Sequence, residues 1–141
     1  MRHAEQTVRQ SGRAFTRIRR HVYELLLYAE IPLGAYDMVD KLDGVGCAQP
    51  ATAYRALYCL ENLGLVRKIK SVSKYVPIAR PHPEASIAFV VCRECGAAEQ
   101  VTLELDSQPL LARARACGFQ TLDLMIEFTG YCSDHQTSEF S

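Results

Sequence analysis

The chain predicts an α+β protein of two modules, a basic helical half closed by a hairpin and an acidic α/β half stapled by a metal. Three observations carry this expectation. The 16 Lys/Arg and 16 Asp/Glu cancel overall, yet residues 1–80 hold 13 basic against 7 acidic side chains (+6) and residues 81–141 hold 3 against 9 (−6). Such asymmetry marks modules with different partners. Between them Ala79-Arg80-Pro81-His82-Pro83-Glu84 sets two prolines in three residues, which can continue neither a helix nor a central strand. Finally, Cys92-Arg93-Glu94-Cys95 is answered forty residues later by Cys132-Ser133-Asp134-His135. The expected division is 1–78, a linker over 79–86, and 87–141.

In the basic half, a helix is expected from about Thr16, a candidate N-cap, with Ile18, Val22, Leu25 and Leu26 at helical spacing. The residues before it, His3 among them, read as a disordered arm. A second helix runs from about Gly34 to Leu42. A third starts at Pro50, suited to a first helical turn, buries Leu57, Leu60 and Leu63, and stops at Gly64. Leu65–Ile69 and Lys74–Val76 then flank a short polar connection and form a hairpin. Helices followed by a Lys-rich hairpin describe a winged helix-turn-helix, whose last helix enters the major groove of DNA.

On that last helix, 100° per residue turns Thr52, Arg55 and Asn62 away from the apolar stripe, with Tyr54 near its edge. An Arg one turn into such a helix can fork onto guanine O6 and N7. The wing residues Lys68, Lys70 and Lys74 and the Arg-rich N-terminus extend the same surface with charges fit to neutralise phosphate. Cys59 falls off the Leu57 stripe and is expected to be partly exposed.

In the acidic half, Ile87–Val91 and Val101–Leu105 read as strands either side of the cysteine turn, Leu110–Ala116 as a helix ended by Gly118, and Phe119–Phe128 as a further strand. Cys117 reads as a small buried apolar residue. Two pairs of donors at matched spacing, three of them thiols, suit tetrahedral zinc, about one ion per chain, with no position left open for a catalytic water. The expected ligands are Cys92, Cys95, Cys132 and His135, with Asp134 an alternative fourth donor. A small domain with long apolar strands exposes an edge that a second copy would cover, so a homodimer is expected. No apolar run is long enough to span a bilayer or serve as a signal peptide, which predicts a cytoplasmic protein without membrane partners. No nucleophile and base stand in a recognisable motif, so an enzyme is not expected.

Pro32-Leu33-Gly34-Ala35-Tyr36-Asp37, Pro50-Ala51-Thr52-Ala53-Tyr54-Arg55-Ala56-Leu57, Gly64-Leu65-Val66 and Phe89-Val90-Val91-Cys92-Arg93-Glu94-Cys95-Gly96 together resemble the Fur (ferric uptake regulator) family of metal-responsive transcription factors, above all its zinc-uptake (Zur) branch. The resemblance spans roughly residues 14 to 135. It implies a dimeric repressor of palindromic double-stranded DNA operators, with a winged helix, an α/β dimerisation domain held by structural zinc, and DNA contacts at Tyr36, Thr52, Tyr54 and Arg55.

The chain also departs from the family pattern. The resemblance implies a second, regulatory metal site at the hinge, but Glu84-Ala85-Ser86-Ile87-Ala88-Phe89 holds no histidine, Pro77 and Ile78 stand where a cysteine is expected, and Arg67 stands where a histidine is. His82, Glu84, Glu99, Asp123 and Glu127 offer mainly oxygen donors. Two further readings follow: a regulator of this type answering to thiol oxidation or another signal, and a zinc-stapled protein-interaction module.

Overall fold

The computed structural model describes residues 1–45, 49–78, 86–121 and 124–136. Cys47, His82, Glu84, Asp123 and the linker before Ser86 lie outside the described residues. The contacts divide the chain into two compact units, Met1–Ala79 and Arg80–Ser141.

The first unit opens with a helix, α1 (Arg2–Gln10), where a disordered arm was expected. Ala4 and Val8, one turn apart, are buried in the core, and the carboxylate of Glu5 pairs with the guanidinium of Arg20. The helix is thus held by tertiary contacts. Thr16 caps α2 (Arg17–Tyr28), its hydroxyl oxygen accepting the Arg19 N–H at 3.3 Å, and Val22, Tyr23 and Leu26 turn inward. In α3 (Ala35–Val39) the Asp37 carboxylate accepts the Gly34 N–H at 2.8 Å, and a 3-10 turn over Asp40–Val45 extends it.

Helix α4 (Pro50–Asn62) buries Ala53, Ala56, Leu57, Cys59 and Leu60. It ends where Gly64, at φ +69°, lets the Leu65 N–H reach back to Leu60 O at 3.0 Å and its own N–H to Glu61 O at 2.9 Å. These are the paired bonds of a Schellman motif, which satisfy the last carbonyls and turn the chain out of the helix. Strands β1 (Val66–Ile69) and β2 (Lys74–Pro77) pair antiparallel, from Val66 opposite Pro77 to Ile69 opposite Lys74. Leu33 exchanges backbone hydrogen bonds with Tyr75 at 3.2 and 2.8 Å and so ties the segment before α3 to the hairpin. Helices α1, α2, α3 and α4 and this wing share one core.

Cys59 corrects the sequence expectation. It is 5% exposed, and the segment after α1 sets the Arg13 guanidinium 3.8 Å from its sulfur. The helical wheel of α4 alone could not anticipate that cover.

In the second unit the sheet order is β4-β3-β5, with β3 (Ser86–Cys92) antiparallel to β4 (Ala98–Leu103) and parallel to β5 (Ile126–Gly130). Helix α5 (Gln108–Ala116) makes the crossover and ends at Gly118, φ +82°, again with a Schellman pair of bonds. Of the predicted strand over Phe119–Phe128, the described residues 119–121 and 124–125 are not in a strand, and β5 pairs with β3 from Ala88 opposite Ile126 onward. Cys117 caps α5 and is exposed, against expectation, since α5 buries no residue within this chain.

Candidate metal centre and DNA-reading face

The parallel pairing of β3 with β5 sets Cys92 opposite Gly130, so the ends of the two strands converge. Cys95 follows β3 in a tight turn closed by the Gly96 N–H to Cys92 O at 3.0 Å, with Gly96 at φ +72°. Cys132 lies two residues beyond β5, and a 3-10 turn over Ser133–His135 folds the imidazole back toward it. The ligand atoms of Cys92, Cys95, Cys132 and His135 all lie within 4.8 Å of one another. Asp134 is not one of the group, and its carboxylate lies beside the Ser133 hydroxyl at 3.5 Å.

A Zn–S bond near 2.3 Å implies sulfur–sulfur edges of about 3.8 Å in a tetrahedron and sulfur–nitrogen edges of about 3.5 Å. Cys95 Sγ and Cys132 Sγ are 3.9 Å apart, and Cys132 Sγ and His135 Nδ1 are 3.0 Å apart. The donor set suits a zinc ion: the sulfur–sulfur distance matches a tetrahedral edge, and the sulfur–nitrogen distance has to open by about 0.5 Å to admit the ion. The turn also prepares the ligands electrostatically: backbone N–H groups of Cys95 and Cys132 directed at Cys92 Sγ bring its thiol down to about 6, whereas burial pushes the Cys132 thiol up. A thiolate, the form that binds metal, is therefore accessible at Cys92 near neutral pH.

On the first unit, α4 presents Ala51, Tyr54, Arg55, Tyr58 and Asn62 to solvent, and Thr52 is half-buried. Tyr36 on α3 is 72% exposed and meets Tyr54 edge-on, the ring centroids 6.4 Å apart and the planes at 83°. Tyr36 and Tyr54 are thereby brought together at one side of the helix-turn-helix, with Arg55 adjacent on α4. Lys70 is exposed in the turn after β1. Elsewhere on the wing, Lys74 Nζ is 3.0 Å from Asp37 Oδ2, and Lys68 Nζ lies 5.9 Å from the centre of the Tyr75 ring. His21 stands 3.8 Å from a Glu24 carboxylate oxygen. Sequence reasoning passed over Tyr58, although the helical wheel that selected Arg55 places it on the same face.

No protein-family model matches the chain. The zinc uptake regulation protein of Escherichia coli (strain K12) is 30% identical over 132 residues, 92% of this chain and 77% of that protein. A solved structure of a zinc uptake regulator complexed with zinc and DNA matches with a TM-score of 0.84 at 29% identity, over 94% of this chain and 89% of that one. The holo form of XcZur matches at 0.81 and 32% identity, over 94% of each chain. With its helix-turn-helix and wing, its α/β unit and its Cys3His group, the chain belongs to the Fur family of metal-responsive DNA-binding transcription regulators, in the zinc-uptake branch.

Proposed function

We propose that the protein is a cytoplasmic homodimeric repressor that binds a palindromic operator through residues 1–78 and dimerises through residues 87–141. The four-ligand group holds one structural zinc per chain and performs no catalysis. The observation that carries this reading is the outward face of α4, where Tyr54 and Arg55 stand exposed beside Tyr36 at the solvent side of a helix-turn-helix. Arg55 reads guanine, Tyr36, Thr52 and Tyr54 line the groove, and Lys70 on the wing neutralises phosphate.

Dimerisation is supported by what the second unit leaves uncovered. Strands β4 and β5 form the two outer edges of its sheet, no residue of α5 is buried among the described residues, and Leu105, Leu110, Phe119 and Phe128 are exposed. Apolar surface of this kind on so small a unit is covered at low cost by a second copy. Selection of duplexes from a random pool by the zinc-loaded protein, with the mass of the resulting complex, tests the proposal. Inverted half-sites bound by two chains are expected; a monomer on a single half-site would refute the dimer.

A second reading concerns the signal. Pro77, Ile78 and Arg67 in place of the expected soft donors favour a regulator whose operator affinity does not follow free zinc. A ligand shifts an equilibrium only by its differential affinity for the two states. Under this reading affinity stays flat as free zinc is varied, and a second tightly bound zinc with a tenfold rise in affinity would exclude it.

A further inference from the structure

We propose that Tyr58 is a further specificity-determining residue, its ring lying against the major-groove edge of the base pair next to the one Arg55 reads and favouring thymine there. The proposal rests on the DNA-reading assignment of α4. Tyr58 is 69% exposed in the middle of a helix whose opposite side is fully packed by Ala53, Leu57 and Leu60. A large aromatic so placed contributes nothing to the core of its own unit.

Its direction is what distinguishes it. With Tyr54 set at 0°, Arg55 lies at about 100° and Tyr58 at about 40°, close to the bisector of the two, one turn further along. Ala51 falls at about 60° one turn earlier, where its single methyl group lets the helix N-terminus approach closely. If Tyr54 and Arg55 flank the groove floor, Tyr58 is on the line between them. Tyr54 is engaged at its own flank by the edge-on Tyr36 ring, which leaves that centre line to Tyr58.

Tyr58 lies about 4.5 Å beyond Arg55 along the helix axis, close to the 3.4 Å rise of about one base-pair step. A phenol carries no positive charge, so it cannot act as a phosphate counterion. An aromatic ring recognises a base edge chiefly through apolar contact with the thymine C5 methyl, the feature that separates thymine from every other base in the groove.

The test uses a duplex enriched from a random-sequence pool by the wild-type protein, in which each thymine in turn is replaced by deoxyuridine to remove its methyl group. One position per half-site is expected to lose about fourfold in affinity, the value of one buried methylene-sized group. Tyr58→Ala should be weaker on the parent duplex and indifferent to uracil at that position alone, while Tyr58→Phe should keep the wild-type profile. A Tyr58→Ala protein with the wild-type uracil profile, or one weakened equally on every sequence, would overturn the proposal. Loss of discrimination in Arg55→Ala alongside either result would leave the DNA-reading assignment standing. Enrichment of no sequence by the wild-type protein would overturn both.

Discussion

Truncating Arg55 to Ala separates reading of DNA from stability of the fold. The side chain is exposed on α4, so its removal opens no cavity and should change the stability of the unit by less than about 0.5 kcal/mol. A guanidinium forked onto guanine contributes about 1–3 kcal/mol of discrimination, roughly 5- to 150-fold. Two copies on inverted half-sites raise the loss to about 2–6 kcal/mol per dimer. Lys70→Ala should behave differently. Each phosphate contact contributes about 0.9 to the slope of log affinity against log salt, so a dimer losing two contacts should flatten by about 1.8. Between about 50 and 200 mM salt, one such contact corresponds to about a 3.5-fold change in affinity. Fluorescence anisotropy on the selected duplex and its single-base variants, at several salt concentrations, measures both effects. Arg55→Ala should lose discrimination at one base pair per half-site, and Lys70→Ala should weaken all sequences alike. Unchanged operator affinity in both variants would refute the docking of α4 and the wing.

Cys92→Ser should abolish bound zinc and unfold or loosen the second unit, because binding free energy at a structural zinc is folding free energy; metal analysis with thermal melting checks it, and retained zinc with an unchanged melting temperature would contradict it. Leu57→Ala, at a fully buried position of α4, should cost the first unit about 2–5 kcal/mol in denaturant titrations without altering zinc content. The Gly34 N–H and the Lys74 ammonium hold the Asp37 carboxyl below its usual range. A group with a depressed folded pKa stabilises fully above its unfolded value and loses that contribution as pH falls through the folded one. The first unit of Asp37→Asn should therefore be less stable than wild type near neutrality, with the difference shrinking as pH falls from about 4 and vanishing below the lower folded pKa. Denaturation at several pH values checks the sign.

Much of the fold is legible in the sequence where local signals agree. Pro50, the Leu57 and Leu60 spacing and Gly64 mark α4 at both ends, and the paired Cys motifs announce the converging ends of β3 and β5. The misses lie where tertiary contact decides. Helix α1 has only Ala4 and Val8 as apolar contacts, too few to distinguish it from a polar arm, and its anchor is the Glu5 pair with Arg20, a residue of α2. The same N-terminal segment covers Cys59 through Arg13. For Cys117, the reading as a small apolar residue foretold burial, yet no residue of α5 is buried among the described residues. Phe119, Leu110 and Phe128 are exposed as well.

The most direct measurement is operator binding by the purified full chain, made together with its metal content. The account predicts about one zinc per chain in the protein that binds a selected duplex with inverted half-sites, and loss of binding when the zinc is stripped and the second unit unfolds. A metal-free protein that is fully folded, or a zinc-loaded one that binds no duplex at any salt concentration, would contradict it.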